Sequence, residues 1–433
     1  MPSGATNDSG QKGAPAGPFI HPGYRLGFAL VTSLFFLWAI ANNFNDILIR
    51  QFQKALALNR LEAGLIQFVY FIGYFTMAVP AGLIIRRFGY RTGILAGLFM
   101  YAVGALLFYP AAQIRVYGAF LGALYVIACG AAFLETAANP YVAVFGDPSR
   151  AAQRLNFAQA FFGMGSVLAP VLGGMFIFSG VEHSAATLAA MSPAQLEMFR
   201  ASEARMVEMP YITLAGVVTV VAAAVAWVKL PPAGFSAKGS ATGNAHGLRS
   251  VLREPNLISA VIAQFFYIGA QVCLWSFFVD FVKETAPQYS EKQAAYLLSA
   301  GMVLFMGGRF AGAALMTRFR PSLLLLIGAS TNVLLCLLAA LLPGIGSVAA
   351  LMVTSLFGSI IFPTIFALGI GNLGERASLG ASLLIMSIVG GAILPPLMGL
   401  LSQAGGGLRL SLAVPLASFV VVTCYAWRVR SRT

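Results

Sequence analysis

Long apolar runs alternate with short polar loops along the chain. Twelve runs reach a bilayer-crossing length. In the first half they lie at about 25–48, 61–85, 92–110, 116–145, 155–180 and 210–229. In the second they lie at about 256–282, 292–317, 322–343, 346–373, 377–402 and 407–428. Within lipid every backbone polar group needs an internal partner, so runs of about 20 apolar residues predict spanning α-helices. The ten-residue alternation of a transmembrane barrel is not visible. The predicted fold class is an all-α membrane protein. The longest polar interruption near the middle, Lys229 to Glu254, contains Pro231-Pro232 and divides the runs six and six. The expected domains are a six-helix bundle over 24–229, a cytoplasmic linker over 230–254, a second bundle over 255–428 and a cytoplasmic tail over 429–433. Residues 1–23, rich in Gly, Ser, Pro and Ala, are expected to form a disordered cytoplasmic tail.

The halves echo each other. Leu168-Ala169-Pro170-Val171-Leu172-Gly173 in the fifth run matches Leu394-Pro395-Pro396-Leu397-Met398-Gly399 in the eleventh, and Arg87-Phe88 matches Arg318-Phe319. That is the pattern of a two-bundle transporter, with its site between the bundles near the midplane. Basic loop residues set the orientation. Arg86, Arg87, Arg91, Arg150, Arg154, Arg249, Arg253, Arg318, Arg320, Arg428, Arg430 and Arg432 share one side, which the positive-inside rule makes cytoplasmic, together with both termini. Arg50, Lys54 and Arg60 crowd the first external loop against this rule. The external loop near 181–209 is expected to hold a short amphipathic helix from Ser192.

Composition narrows the class further. With 59% hydrophobic and 9% charged residues the chain lies outside the soluble globular range. The net charge of +13 therefore reads as a topology signal rather than a nucleic-acid footprint. Cys129, Cys273, Cys336 and Cys424 all sit in apolar runs without metal spacing. Gly163, Gly165, Gly390 and Gly391 lie inside spans, where glycines serve close packing. No Gly-Lys-Ser/Thr phosphate loop occurs, so ATP is not the expected energy source, and no cofactor other than a proton gradient and no metal is expected. No enzymatic constellation is visible, and one twelve-span chain needs no partner to enclose a site, so a monomer in the cell inner membrane is expected.

Two carboxylates stand out. Glu135 interrupts an apolar run of more than twenty residues, at a cost of roughly 2.5–3.5 kcal/mol near a bilayer centre. Asn139 is one turn on, on the same face, and Pro140 removes a backbone hydrogen bond. Asp46 ends the first run, close behind Asn42, Asn43 and Asn45. A carboxyl that alternates between dry and wet surroundings can take a proton on one side and release it on the other, which makes the pair candidates for proton coupling. Blander readings stay open: Asp46 pairing with Arg50, and Glu135 with Arg309, the basic residue deep in the eighth run. A sugar needs hydrogen-bond partners and flat apolar faces. Gln264, Tyr267, Gln271 and Trp275 recur at steps of three and four in the seventh run, and Asn156 and Gln159 lie in the fifth.

These residues carry a resemblance. Phe35-Phe36-Leu37-Trp38-Ala39, Asn42-Asn43-Phe44-Asn45-Asp46, Leu134-Glu135-Thr136-Ala137-Ala138-Asn139-Pro140, Arg154-Leu155-Asn156-Phe157-Ala158-Gln159, Gly308-Arg309-Phe310 and Pro363-Thr364-Ile365-Phe366 resemble the fucose–proton symporter branch of the major facilitator superfamily, over nearly the whole chain. The resemblance implies the major facilitator fold, twelve transmembrane helices in two six-helix bundles, alternating access, and uptake of L-fucose with protons. It assigns Asp46 and Glu135 to proton coupling and sugar recognition. The related glucose/galactose branch tends to carry Gln at the position of Glu135, so the acid favours fucose over another hexose. Three departures make the expected pocket less polar or alter its charge: Phe162 stands where the branch has Asn, Ile361-Phe362 where it has Gln-Tyr, and Asp280 where a basic residue is usual.

Overall fold

The computed structural model describes residues 17–56, 60–176, 187, 190–231, 248–403 and 407–431, excluding the side chains of 41, 44–55, 60–64, 170, 171, 173, 174, 176 and 291. Among the described residues all regular structure is helical. The first bundle comprises α1 (Arg25–Leu56), α2 (Arg60–Phe88), α3 (Tyr90–Ile114), α4 (Tyr117–Ala143), α5 (Ala151–Phe176), α6 (Pro193–Arg205) and α7 (Glu208–Trp227). The second comprises α8 (Pro255–Ser276), α9 (Phe278–Thr285), α10 (Glu291–Leu315), α11 (Pro321–Leu341), α12 (Gly344–Gly358), α13 (Ile361–Ile370), α14 (Ala377–Met386), α15 (Gly390–Leu401) and α16 (Ala413–Arg430). Ten helical stretches among the described residues are long and apolar enough to cross a membrane. The first and fifth expected spans are α1 and α5.

Four expected spans in the second half are broken rather than continuous. The seventh divides at Phe277, the tenth at Ser359-Ile360, the eleventh at Ser387–Val389 and the twelfth at Leu412. Hydropathy does not register such breaks, because the residues stay apolar while the hydrogen-bond ladder changes. At the tenth span the cause is local. Pro363 has no N–H for the carbonyl of Ser359, four residues earlier. That orphaned oxygen is taken by Arg309 Nε at 3.2 Å, and the neighbouring Gly358 carbonyl by the Tyr267 hydroxyl at 2.8 Å.

Helix α1 runs for 32 residues, about 48 Å at 1.5 Å per residue. That exceeds the ~30 Å hydrocarbon core, so the backbone at Arg50 and Lys54 continues as helix beyond it rather than forming a basic loop. The short helix expected from Ser192 is α6. Ser192 Oγ accepts from the Gln195 N–H, and the Gln195 side chain accepts from the Ser192 N–H.

Of the tail expected to be disordered, residues 1–16 lie outside the described residues, whereas 17–23 are tied down. The His21 N–H donates to Phe145 O at 2.7 Å and the Asp147 N–H to Pro18 O at 3.1 Å. Phe19 packs edge-on against Phe28 and Phe157. Arg154, fully buried, donates to the carbonyls of Val142, Ala143, Gly146 and Phe19. It thereby satisfies the open carbonyl end of α4 and binds the tail to it.

Small residues let the helices approach closely. A Cβ on Gly130 would come within 2.6 Å of the Tyr101 backbone nitrogen, so α3 and α4 cross backbone to backbone. The bundles meet at one end of the molecule. Asn156 Nδ2 donates to Thr364 Oγ1 at 3.3 Å, Phe157 and Phe161 pack against Phe310, and Gly82 abuts Ser382.

Candidate transport cavity

Above that seal lies a cavity of about 610 Å³ between the bundles. From the first bundle it is lined by Trp38, Asn42 and Asn43 of α1, Gln67, Tyr70, Phe71 and Tyr74 of α2, Glu135 of α4, and Gln159, Phe162 and Ser166 of α5. From the second come Gln271, Trp275 and Ser276 of α8, Asp280 and Lys283 of α9, Arg309 of α10 and Phe362 of α13. It is a space of the size that small-molecule sites have, with aromatic faces, amides and hydroxyls, walled by both bundles.

Glu135 is 5% exposed, and its Oε1 accepts from the Tyr74 hydroxyl at 2.8 Å. The ion pair with Arg309 is not formed. Gln159 intervenes: Arg309 Nη1 donates to its side-chain Oε1 at 2.7 Å and to its main-chain oxygen at 2.5 Å. The guanidinium also faces the rings of Phe305 and Phe162 at 4.5 and 5.3 Å. Phe162 thus covers a buried cation, a contact worth about 2 kcal/mol when desolvated.

Other expected residues separate into two groups. Asn42, Asn43, Glu135, Gln159, Phe162, Gln271, Trp275, Phe362 and Arg309 converge on the cavity. Asn139 and Tyr267 stand behind it: Asn139 Oδ1 accepts from Gln159 Nε2 at 3.0 Å, and Tyr267 reaches the α12 break. Gln264 is fully buried and does not line it. On α8 the lining residues are Ile268, Gln271, Val272, Trp275 and Ser276, a face rotated from the one through Gln264 and Tyr267. The Asp46 side chain lies outside the described residues; its backbone belongs to α1. Asn43 Nδ2 bridges Ala39 O and Ser166 Oγ, fixing α1 against α5.

Sequence reasoning missed the α2 wall. Gln67, Tyr70 and Tyr74 recur at steps of three and four, the same signal that singled out the seventh span. Among the described residues no group of three His, Cys, Asp or Glu could hold a metal ion.

Residues 24–393 match the family model of the Major Facilitator Superfamily. The chain belongs to that family. It is 42% identical to the L-fucose-proton symporter of Escherichia coli over 95% of this chain and 94% of that one. It is 37% identical to the glucose/galactose transporter of Brucella abortus over 93% and 92%. The crystal structure of the major facilitator transporter FucP in the outward conformation superposes with a TM-score of 0.87 at 41% identity, covering 94% of this chain and 99% of that one. The all-helical, two-bundle membrane fold and the resemblance to the fucose–proton symporter branch are therefore findings, not only expectations.

Proposed function

We propose that the protein is a proton-coupled sugar symporter that takes up L-fucose across the inner membrane by alternating access, as a monomer with both termini cytoplasmic. The observation that carries this reading is a buried carboxylate, Glu135, opening onto an inter-bundle cavity walled by indoles, phenyl rings and amides, in a chain 42% identical to an L-fucose-proton symporter. Trp38 and Trp275 offer flat faces for a sugar ring, while Asn42, Gln159 and Gln271 offer directional hydrogen bonds. Asp46 and Glu135 exchange the coupling proton, and the proton gradient is the only energy input. The cavity reaches Asp280 and Lys283 at one end and is sealed near Phe310 at the other, which corresponds to a state open to the outside.

A second reading is transport of glucose, galactose or another hexose. Phe162 and Phe362 favour it, because they replace polar groups of the fucose branch at the cavity wall. Counterflow in proteoliposomes with labelled L-fucose, D-galactose, D-glucose and D-xylose decides between the two. Adding the accepted sugar to de-energised vesicles should alkalinise the medium. Sugar entry with no proton movement overturns the coupling.

A further inference from the structure

Beyond the two carboxylates, the α2 wall holds a feature with a direction. Tyr70 and Tyr74 sit one turn apart and both line the cavity. Tyr74 is 1% exposed and its single O–H is committed to Glu135 Oε1 at 2.8 Å. The Tyr70 hydroxyl lies 3.4 Å from the Tyr74 oxygen. A phenol has one proton to give, so at that contact Tyr74 accepts and Tyr70 donates. The chain of donors therefore runs one way, from Tyr70 through Tyr74 to Glu135. Gln67, one turn before Tyr70, extends the stripe along the cavity wall.

We propose that Tyr70 and Tyr74 form a hydroxyl relay that delivers the proton from cavity water to Glu135, with Tyr74 also positioning the carboxylate. This inference rests on the proton-coupled reading above. A hydronium gives its proton to the Tyr70 oxygen; the Tyr70 proton passes to the Tyr74 oxygen, and the Tyr74 proton passes to Glu135 Oε1. Two phenols are regenerated and one carboxylate becomes a carboxylic acid, so one proton moves and no charge remains on a ring. The 3.4 Å link is long for O–H···O and must shorten by several tenths of an ångström to conduct, so it is where the relay opens and closes.

The surroundings favour this approach to the carboxylate. From α3, Tyr101 points its hydroxyl to Leu37 O at 3.5 Å. From α10, Arg309 is bonded to Gln159 and Ser359. From α5, Gln159 is uncharged, and α13 and α14 carry no titratable residue. Helix α1 contributes Asp46, whose side chain lies outside the described residues. The Tyr74 hydroxyl is the polar group bonded to Glu135, and it leads back along α2.

The test is infrared difference spectroscopy of the purified full-length protein in proteoliposomes after a pH jump. The carboxyl band of Glu135 is identified by its loss in Glu135→Gln. In Tyr74→Phe the protonation rate should fall about tenfold or more. The band's titration midpoint should move to more alkaline pH by about one to two units, because a donor to the ionised form is gone. In Tyr70→Phe the rate should fall while the midpoint stays. Wild-type rates in Tyr70→Phe overturn the relay, and that variant carries the test alone if Tyr74→Phe elutes aggregated. The readout needs no sugar, so a failed counterflow assay with a normal pH-jump result overturns only the substrate reading.

Discussion

Arg309 on α10 donates through Nη1 to Gln159 Oε1 on α5 at 2.7 Å, joining the two bundles at the floor of the cavity. Both ends of the Gln159 amide are engaged, since its Nε2 donates to Asn139. Each end keeps one further hydrogen-bonding position, so a solute bound to Gln159 would join the same network that ties the bundles together. Arg309→Lys retains the charge but cannot reach Gln159 and Ser359 together with a planar fork. The expected outcome is a lower melting temperature, from losing charge-assisted bonds worth about 1.5–3 kcal/mol each, and loss of counterflow. Thermal unfolding and exchange assays on the same preparation check both. Wild-type exchange in Arg309→Lys would show that the bridge is dispensable.

Glu135→Gln tests coupling separately from architecture. The amide oxygen can still accept from Tyr74 and the volume is unchanged, so folding should be retained. Uphill accumulation should vanish while downhill exchange persists, because an amide cannot carry a proton across. Asp46→Asn should also abolish accumulation. Uphill uptake at the wild-type level in both variants removes them from coupling.

Phe162→Asn tests the departure at the cavity wall. It strips one ring from Arg309 and places an amide in the cavity. Stability should fall by about 2 kcal/mol, the worth of a desolvated cation–π contact. Counterflow of L-fucose relative to D-glucose and D-galactose should rise by about tenfold, because the variant restores the residue type of the fucose branch at the cavity wall. An unchanged sugar ranking would place Phe162 outside specificity.

Acid should loosen the tail from the seal. Outside the spans, the Ser149 hydroxyl and N–H, the Gly17 N–H and Arg154 hold the Asp147 carboxyl below its usual range. A carboxyl whose proton affinity is lowered by folding stabilises the fold above its unfolded value, about 3.9, and loses that contribution as pH falls through the folded one. Hydrogen exchange over residues 17–21 should be slow at pH 7 and accelerate at strongly acidic pH. Asp147→Asn should show the fast exchange already at neutral pH. Equal protection in wild type and variant at pH 7 would mean that backbone contacts alone hold the tail.

The spanning helices and the place of Glu135 inside one of them were legible because each depends on local composition. Twenty apolar residues need no distant partner to become a helix in lipid, and an acid among them is costly wherever the neighbours lie. The stripe on the seventh span was legible only in part. Periodicity places Gln264, Tyr267, Gln271 and Trp275 on one face, yet only Gln271 and Trp275 line the cavity. Helix rotation about its own axis is set by packing, which periodicity does not contain.

By itself, then, the sequence determined the all-helical membrane class and singled out an acid inside an apolar span, since hydrophobic length and isolated charge are properties of single segments. Only the tertiary structure decided that Arg309 bonds Gln159 and the carbonyl freed by Pro363 rather than Glu135. It also decided that Tyr74 is the partner of the acid, and that residues 17–23 dock. Each depends on which of several chemically competent groups the packing brings within 3 Å or so, and hydrogen bonding at that range is too short and directional to be read from order along a chain.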